Sequence, residues 1–426
     1  MAENAFKADW PSFALGFNTG KSKGGGGAEL NIAYGDTPPE DTSKLWVKTS
    51  EPTAIEVRID DRVFELSATL PAWGSEMTAA AVGNKIYAFG GSGKPKEIQR
   101  IDIETGERVT LSSATFSRGL IGATCAAVGT KIYIFGGTEN QSDYMTTQVL
   151  TKNIYQFDTE TERISKLSIA LPEKGRLGSC AVVGRYIYLS AFATSTSTSV
   201  GSTAIYRFDT EYLTCEPTEK NLPSGRHSAA CAAVGSIVYW FGGRSGNAFH
   251  DSVFYYNTET EVVGTVSQYL PAKLAGAGCA VIGGKVYLIG GEIGDHGIKE
   301  DNQDTVFCFD PETSEIKENP FKLPTTLSYF GCATIGTDIY TIGGKINLVD
   351  NLVTTTKAIY CVPTIAPLPD GVLWVSQNDQ FQSVDLIKSD NLLIRVGVIG
   401  VNKGNADGKA ETVEAFIYKD DEWVTI

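Results

Sequence analysis

The sequence predicts an all-β protein built from six copies of one four-stranded antiparallel unit, and three observations predict it. An Ala/Val/Ile-rich run ending in Gly, then a Tyr and usually a Gly-Gly pair, recurs six times. The copies are AAVGNKIYAFGG (Ala80 to Gly91), AAVGTKIYIFGG (Ala126 to Gly137), AVVGRYIYLSA (Ala181 to Ala191), AAVGSIVYWFGG (Ala232 to Gly243), AVIGGKVYLIGG (Ala280 to Gly291) and ATIGTDIYTIGG (Ala333 to Gly344). Their first glycines, Gly83, Gly129, Gly184, Gly235, Gly283 and Gly336, are 46, 55, 51, 48 and 53 residues apart, which is the spacing of a structural repeat. Between copies run phrases such as IYQFDTETERISKL from Ile154, IYRFDTEYLT from Ile205, VFYYNTETEV from Val253 and VFCFDPETSE from Val306, and units close on Leu-Pro at Leu171, Leu222, Leu270 and Leu323.

Each unit reads as two hairpins. The apolar run, its Gly turn and the alternating KIYIF-type strand make the first. In the second, Asp158, Asp209 and Asp310 head turns of Thr, Glu and Pro, where an Asp side chain caps its own backbone. The last unit reaches only a third strand near Ala358 to Val362, and Val57 to Leu70 (VRIDDRVFELSATL) has the pattern of the missing outer one. The two ends are therefore expected to share a blade.

The Gly-Gly pairs, strand tyrosines and FDTET-type turns resemble the kelch repeat family over roughly Glu56 to Val362. That resemblance implies a six-bladed β-propeller, over 56–365, with an extended arm or tether at 1–55 and a small β module at 366–426. Two departures stand out. The third copy has Ser190-Ala191 in place of Gly-Gly, so an irregular third blade is expected, and no copy has the family's Trp after the FDTET turn.

Composition narrows the function classes. A net charge of −14 opposes a nucleic-acid surface, which needs clustered Lys and Arg. No apolar stretch approaches a membrane span, and MAENAFKADW lacks the basic start and apolar centre of a secretion leader, so synthesis in the cytoplasm is expected. Five of the eight cysteines, Cys125, Cys180, Cys231, Cys279 and Cys332, stand four residues before the repeat Gly, where the first copy has Ala79. Equivalent places in successive blades point to packing near the axis as reduced thiols. Without CxxC spacing they make a poor zinc set, and no cofactor or metal is expected.

Topology puts the short, uniform turns on one face and the varied connections on the other. The varied set includes SGKPKE, TENQSDYMTTQVLTKN, RSGNAFHD, EIGDHGIKEDNQDT and KINLVDNLVTTTK. Recognition usually lies on such loops. On that face the candidate ligand residues are Arg118, Arg176, Arg226, His227, Arg244, Tyr144, Phe249 and Tyr329, because guanidinium groups fork anions and aromatics stack on sugars. The competing role for the arginines is to brace adjacent blades through loop carbonyls.

Catalytic signatures are weak. His227, His250 and His296 are the only histidines and fall in separate places, and Gly16 to Ser22 is one residue short of a phosphate loop. The tyrosine-cysteine cofactor and paired histidines of kelch copper oxidases cannot be traced. The bacterial six-bladed kelch mutarotase that acts on sialic acid is an analogue, since its arginine-lined pocket resembles what Arg118, Arg176 and Arg226 would make.

In the flanks, LWV at Leu45, Trp46 and Val47 and LWV from Leu373, with its Trp374, are tethering candidates expected to meet. The closing YKDDEWVTI is similar to the ends of phage tail and appendage proteins, and LWVKTSEP to segments of phage structural proteins. The reading is thus a non-enzymatic propeller, held through its termini by virion or tail structural proteins and displaying a loop face to host surface glycan or protein. The rival readings are a kelch-type mutarotase or related enzyme on acidic sugars and an intracellular protein-interaction scaffold.

Overall fold

The computed structural model describes residues 64–363 except residue 67 and segments 141–148, 197–200, 295–300 and 348–352; beyond that range it describes short strands only. The described residues form six four-stranded antiparallel sheets. Blade one is Thr78–Val82, Lys85–Phe89, Ile98–Asp102 and Arg108–Thr110. Blades two to five repeat the order, opening on Thr124–Val128, Ser179–Val183, Ala230–Val234 and Gly278–Ile282. Blade six joins Gly331–Ile335, Asp338–Ile342 and Ile359–Pro363 to Phe64–Glu65, so its outer strand comes from the other end of the chain, as the VFEL pattern foretold. First strands touch in the order of the blades and the sixth touches the first, which closes a ring of six.

The repeat residues hold neighbouring blades together. The strand Tyr and Phe of one blade meet the third-strand Phe of the next: Tyr87 and Phe89 on Phe157, Tyr133 and Phe135 on Phe208, Tyr239 and Phe241 on Phe309, with centroids 5.0–5.5 Å apart. Such contacts add about 0.5–1.5 kcal/mol each to the burial of the rings. Five apolar clusters each bridge two successive blades, including blade six to blade one through Leu70, Ile86, Ile342 and Ile359. The Gly-Gly pair is the backbone half of the same joint. Gly242 (φ +60) would place a Cβ 2.2 Å from the Leu274 carbonyl oxygen of the next blade, and that oxygen accepts the Gly243 N–H at 2.7 Å.

Blade three corrects one expectation. Its four strands are complete, and Ala191 (φ 58) and Phe192 occupy the Gly-Gly place rather than Ser190 and Ala191. The Phe192 side chain fits because the neighbouring connection has lost its own side chains: a Cβ on Gly178 would come 2.4 Å from the ring, and one on Gly175 2.7 Å from the Phe192 Cβ.

On the uniform face the first and second hairpin turns are linked by Thr159 N–H to Thr130 O, Thr258 N–H to Ser236 O and Ile103 N–H to Asn84 O. Carboxylate or amide oxygens of Asp102, Asp158, Asp209, Asn257 and Asp310 accept backbone N–H groups two residues on. The Asp158 side chain also takes the Lys131 ammonium, and that bond, with the turn N–H groups, holds its pKa down to about 2.

Blade six breaks the pattern. In it Asp338 stands opposite Pro363 where blade two pairs Lys131 with Asp158. Burial raises the Asp338 pKa to about 6. Because the folded value lies above the unfolded value of about 3.9, its stabilising contribution is complete below pH ~4 and fades as pH climbs through 6. Asp338→Asn should remove that slope, so urea midpoints of wild type and variant diverge between pH 4 and 6 and run parallel above; parallel curves throughout would refute it.

All eight thiols have pKa values raised by burial, Cys180, Cys215 and Cys332 to about 12. Since the thiolate is the reactive form, native protein at neutral pH should react with Ellman's reagent far more slowly than in guanidinium, where all eight cysteines titrate. A fast native phase would show an activated thiol.

The flanks, Met1–Asp61 and Ile365–Ile426, group as a separate unit. In it Leu45–Val47 pairs in parallel with Ile32–Tyr34, and Trp374–Asn378 pairs with Phe381–Asp385, so the two LWV phrases do not pair with each other. The side chains of Leu45, Trp46, Val47 and Trp374 lie outside the described residues.

Candidate functional site

The blades converge on a central channel enclosing about 200 Å³, and its mouth on the varied face is built by one residue per blade, seven positions before each repeat Gly. These are Glu76, Gly122, Leu177, Ser228, Gly276 and Tyr329, and all six have φ between 49° and 65°. Each donates its N–H to the carbonyl of the preceding member: Gly122 to Glu76, Leu177 to Gly122, Ser228 to Leu177, Gly276 to Ser228, Tyr329 to Gly276 and Glu76 to Tyr329, at 2.7–2.9 Å. The result is a closed backbone circle. Left-handed geometry costs a non-glycine roughly 1–2 kcal/mol, which the buried inter-blade bonds offset.

Below the circle, the five repeat cysteines and Ala79 line the channel, which is the near-axis placement their spacing indicated. Thr78 Oγ1 reaches Cys125 Sγ at 3.1 Å and Thr124 Oγ1 reaches Cys180 Sγ at 3.3 Å. Among the described residues no group of three or more His, Cys, Asp or Glu is placed to hold a metal, and no helix is long and apolar enough to cross a membrane.

Two side chains of the circle reach sideways across the two glycines. Glu76 passes over Gly122 toward Arg176, whose Nη1 is 3.7 Å from its Oε2. Tyr329 lies over Gly276, where a Cβ would come 2.8 Å from its ring, and its hydroxyl donates to Glu292 Oε1. Arg244 Nη1 donates to the same oxygen at 3.0 Å, and the Arg244 guanidinium lies over Phe249 while Lys345 Nζ sits 4.2 Å from the Tyr329 centroid. Burial, then the Glu292 charge, pushes the Tyr329 phenol well above its usual range, so it stays a donor.

The expected ligand residues therefore divide. Arg176, Arg244, Phe249 and Tyr329 gather at or beside the mouth, and Arg118 lies farther out, half exposed and 4.0 Å from Glu139. Arg226 and His227 do not face a ligand. Arg226 is 0% exposed; it donates to the Gly242 and Ser252 carbonyls at 2.7 and 3.2 Å and to Ser224 and Ser252 hydroxyls, and lies 3.7 Å from the Phe254 centroid. His227 is buried, with Nδ1 3.0 Å from Ser228 Oγ and its backbone bridged to Arg244. Tyr144 lies outside the described residues. Register explains the split: counted back from their circle residues, Arg118, Arg176 and Arg226 stand four, one and two positions away, so they form no common set. Exposed aromatics in the connections escaped the sequence reading, Tyr269 before Leu270 and Trp73 among them. Trp73 is 57% exposed in the connection leading to Glu76, and its Pro-Ala-Trp-Gly setting in that connection was the available signal.

A ring of six antiparallel sheets with rigid turns on one face and a polar, braced mouth on the other defines a β-propeller of the binding or scaffold kind. Residues 122–344 match the KLHDC2/KLHL20/DRC7 Kelch-repeats domain, and the chain belongs to the kelch-repeat family. Among solved structures, that of YjhT is similar with a TM-score of 0.54 and 16% identity, over 68% of this chain and 99% of that one, a likeness of fold. No curated protein matches the sequence.

Proposed function

We propose that the chain is a display propeller, attached through its flanks to a larger particle, with a phage virion or tail as the assembly, and presenting the varied face to a host-surface glycan or protein. One observation carries this reading. The third strand of blade six ends at Pro363 and the outer strand begins at Phe64, paired to Cys361, so both ends leave the ring side by side at the uniform face. The mouth lies at the opposite end of the blades from Phe64 and Pro363. In addition, Arg118, Arg176 and Arg244 each lie within 4.0 Å of a carboxylate of the protein itself, an arrangement that favours holding a surface in shape over capturing an acidic sugar.

The test pairs a glycan array with an NMR anomerisation assay on the whole chain. Selective glycan retention without faster anomer exchange supports display; rapid exchange on an acidic sugar would establish the enzyme instead. Incorporation is tested separately, since particles that still carry protein lacking residues 1–55 would count against the tether.

A further inference from the structure

The six circle positions share a left-handed φ and one hydrogen-bond pattern, yet they carry Glu, Gly, Leu, Ser, Gly and Tyr. Glycine suffices twice, so the fold asks nothing of a side chain there. Left-handed residues also occur at turn tips, Glu162 and Glu261 among them, and strain alone marks no site. What separates the circle is convergence: Glu76, Leu177 and Tyr329 are partly exposed and line one cavity. Their chemistry is mixed. Glu76 Oε2 is buried and accepts no hydrogen bond among the described residues, Tyr329 brings a phenol held neutral, and Leu177, across the circle from Tyr329, adds an apolar group next to Glu76 at Gly122. The arginines nearest the mouth are matched by Glu76 and Glu292, so an anionic ligand would have to displace a resident carboxylate. At about 200 Å³ the cavity is below the ~300–1,000 Å³ of ordinary ligand pockets, so it admits the end of a ligand only.

Resting on the varied face being the binding face, we propose that Glu76, Leu177 and Tyr329 are the specificity-determining contacts of the channel mouth, and that they receive the terminal unit of an uncharged, hydroxyl-rich ligand. Glu76 Oε2, ion-paired with Arg176 but without a hydrogen bond, accepts a hydroxyl, the phenol contributes a second polar contact, and the leucine packs on the C–H face of a pyranose.

The experiment is saturation-transfer NMR on the full chain with methyl α-glucoside, α-galactoside and α-mannoside, and the methyl glycoside of sialic acid as the acidic comparison. Transfer to a neutral glycoside is expected, falling at least tenfold in Glu76→Gln and Tyr329→Phe. Leu177→Gly should lose the signal while melting within about 2 °C of wild type, because relief of the left-handed strain offsets the lost contact. Unchanged binding in all three variants overturns the mouth while leaving the display reading intact, as does a large melting loss in Leu177→Gly, which would make that side chain a packing element. Preference for the acidic glycoside, or for a peptide terminus, overturns the ligand class. No transfer to any sugar, together with a blank glycan array, removes both this proposal and the glycan reading beneath it.

Discussion

A fragment spanning residues 62–364 is expected to unfold in one cooperative step, whereas a fragment spanning 67–364 is not. The second lacks Phe64–Glu65 and Leu66, whose N–H donates to Ile359 O at 2.8 Å and whose side chain packs on the cluster shared by blades six and one. The lost ladder bonds and Leu66 burial amount to about 2–3 kcal/mol. The larger penalty is architectural, because Ile359–Pro363 becomes an edge with its outer side unpaired and blade six, which positions the Glu76–Tyr329 link, is left with three strands. Far-UV circular dichroism against urea would show a broad, shallow transition and concentration-dependent association for the shorter fragment. Coincident sharp transitions would mean that the circle closes without the amino-terminal strand.

The second large effect is at Arg226. Arg226→Ala is expected to cost about 3–5 kcal/mol, since it empties a fully buried volume and strands the Gly242 carbonyl, while the Ser252 carbonyl keeps the Gly242 N–H. Burial draws the Arg226 pKa down to about 10, with the Asp251 charge opposing it, and the buried guanidinium is held by these bonds and the Phe254 face. Leu120, Leu274 and Leu327 fill the same register in blades two, five and six, two positions before their circle residues. Arg226→Leu should therefore recover a large part of the loss. Urea midpoints decide it; an alanine variant as stable as wild type would show that the guanidinium braces nothing.

The contrast between these two sites shows what the chain discloses unaided. The six units, the shared blade, the Asp-headed turns and the axial cysteines were legible because each repeats a side-chain requirement: Asp158 must cap, Cys180 must be small, Phe157 must meet the preceding blade. The mouth was not. Its six positions are fixed by N–H and C=O groups that every residue shares, so Glu76 and Tyr329 leave no common letter to align. The arginines were assigned to one face by segment, when a shift of one register place buries Arg226 and exposes the neighbourhood of Arg176. Blade three misled for a related reason, since the space vacated at Gly175 and Gly178 lies far in sequence from the Phe192 that fills it.

The side-by-side departure of both ends has a mechanical meaning. If both flanks are anchored and the mouth is pulled away along the axis, Phe64–Glu65 and Ile359–Pro363 are dragged in the same direction and do not slide past each other. Shear falls instead on the five-residue register between Ile359–Pro363 and Asp338–Ile342. Anchoring the amino-terminal flank alone would load the two-residue pairing, which is the weaker hinge of the molecule.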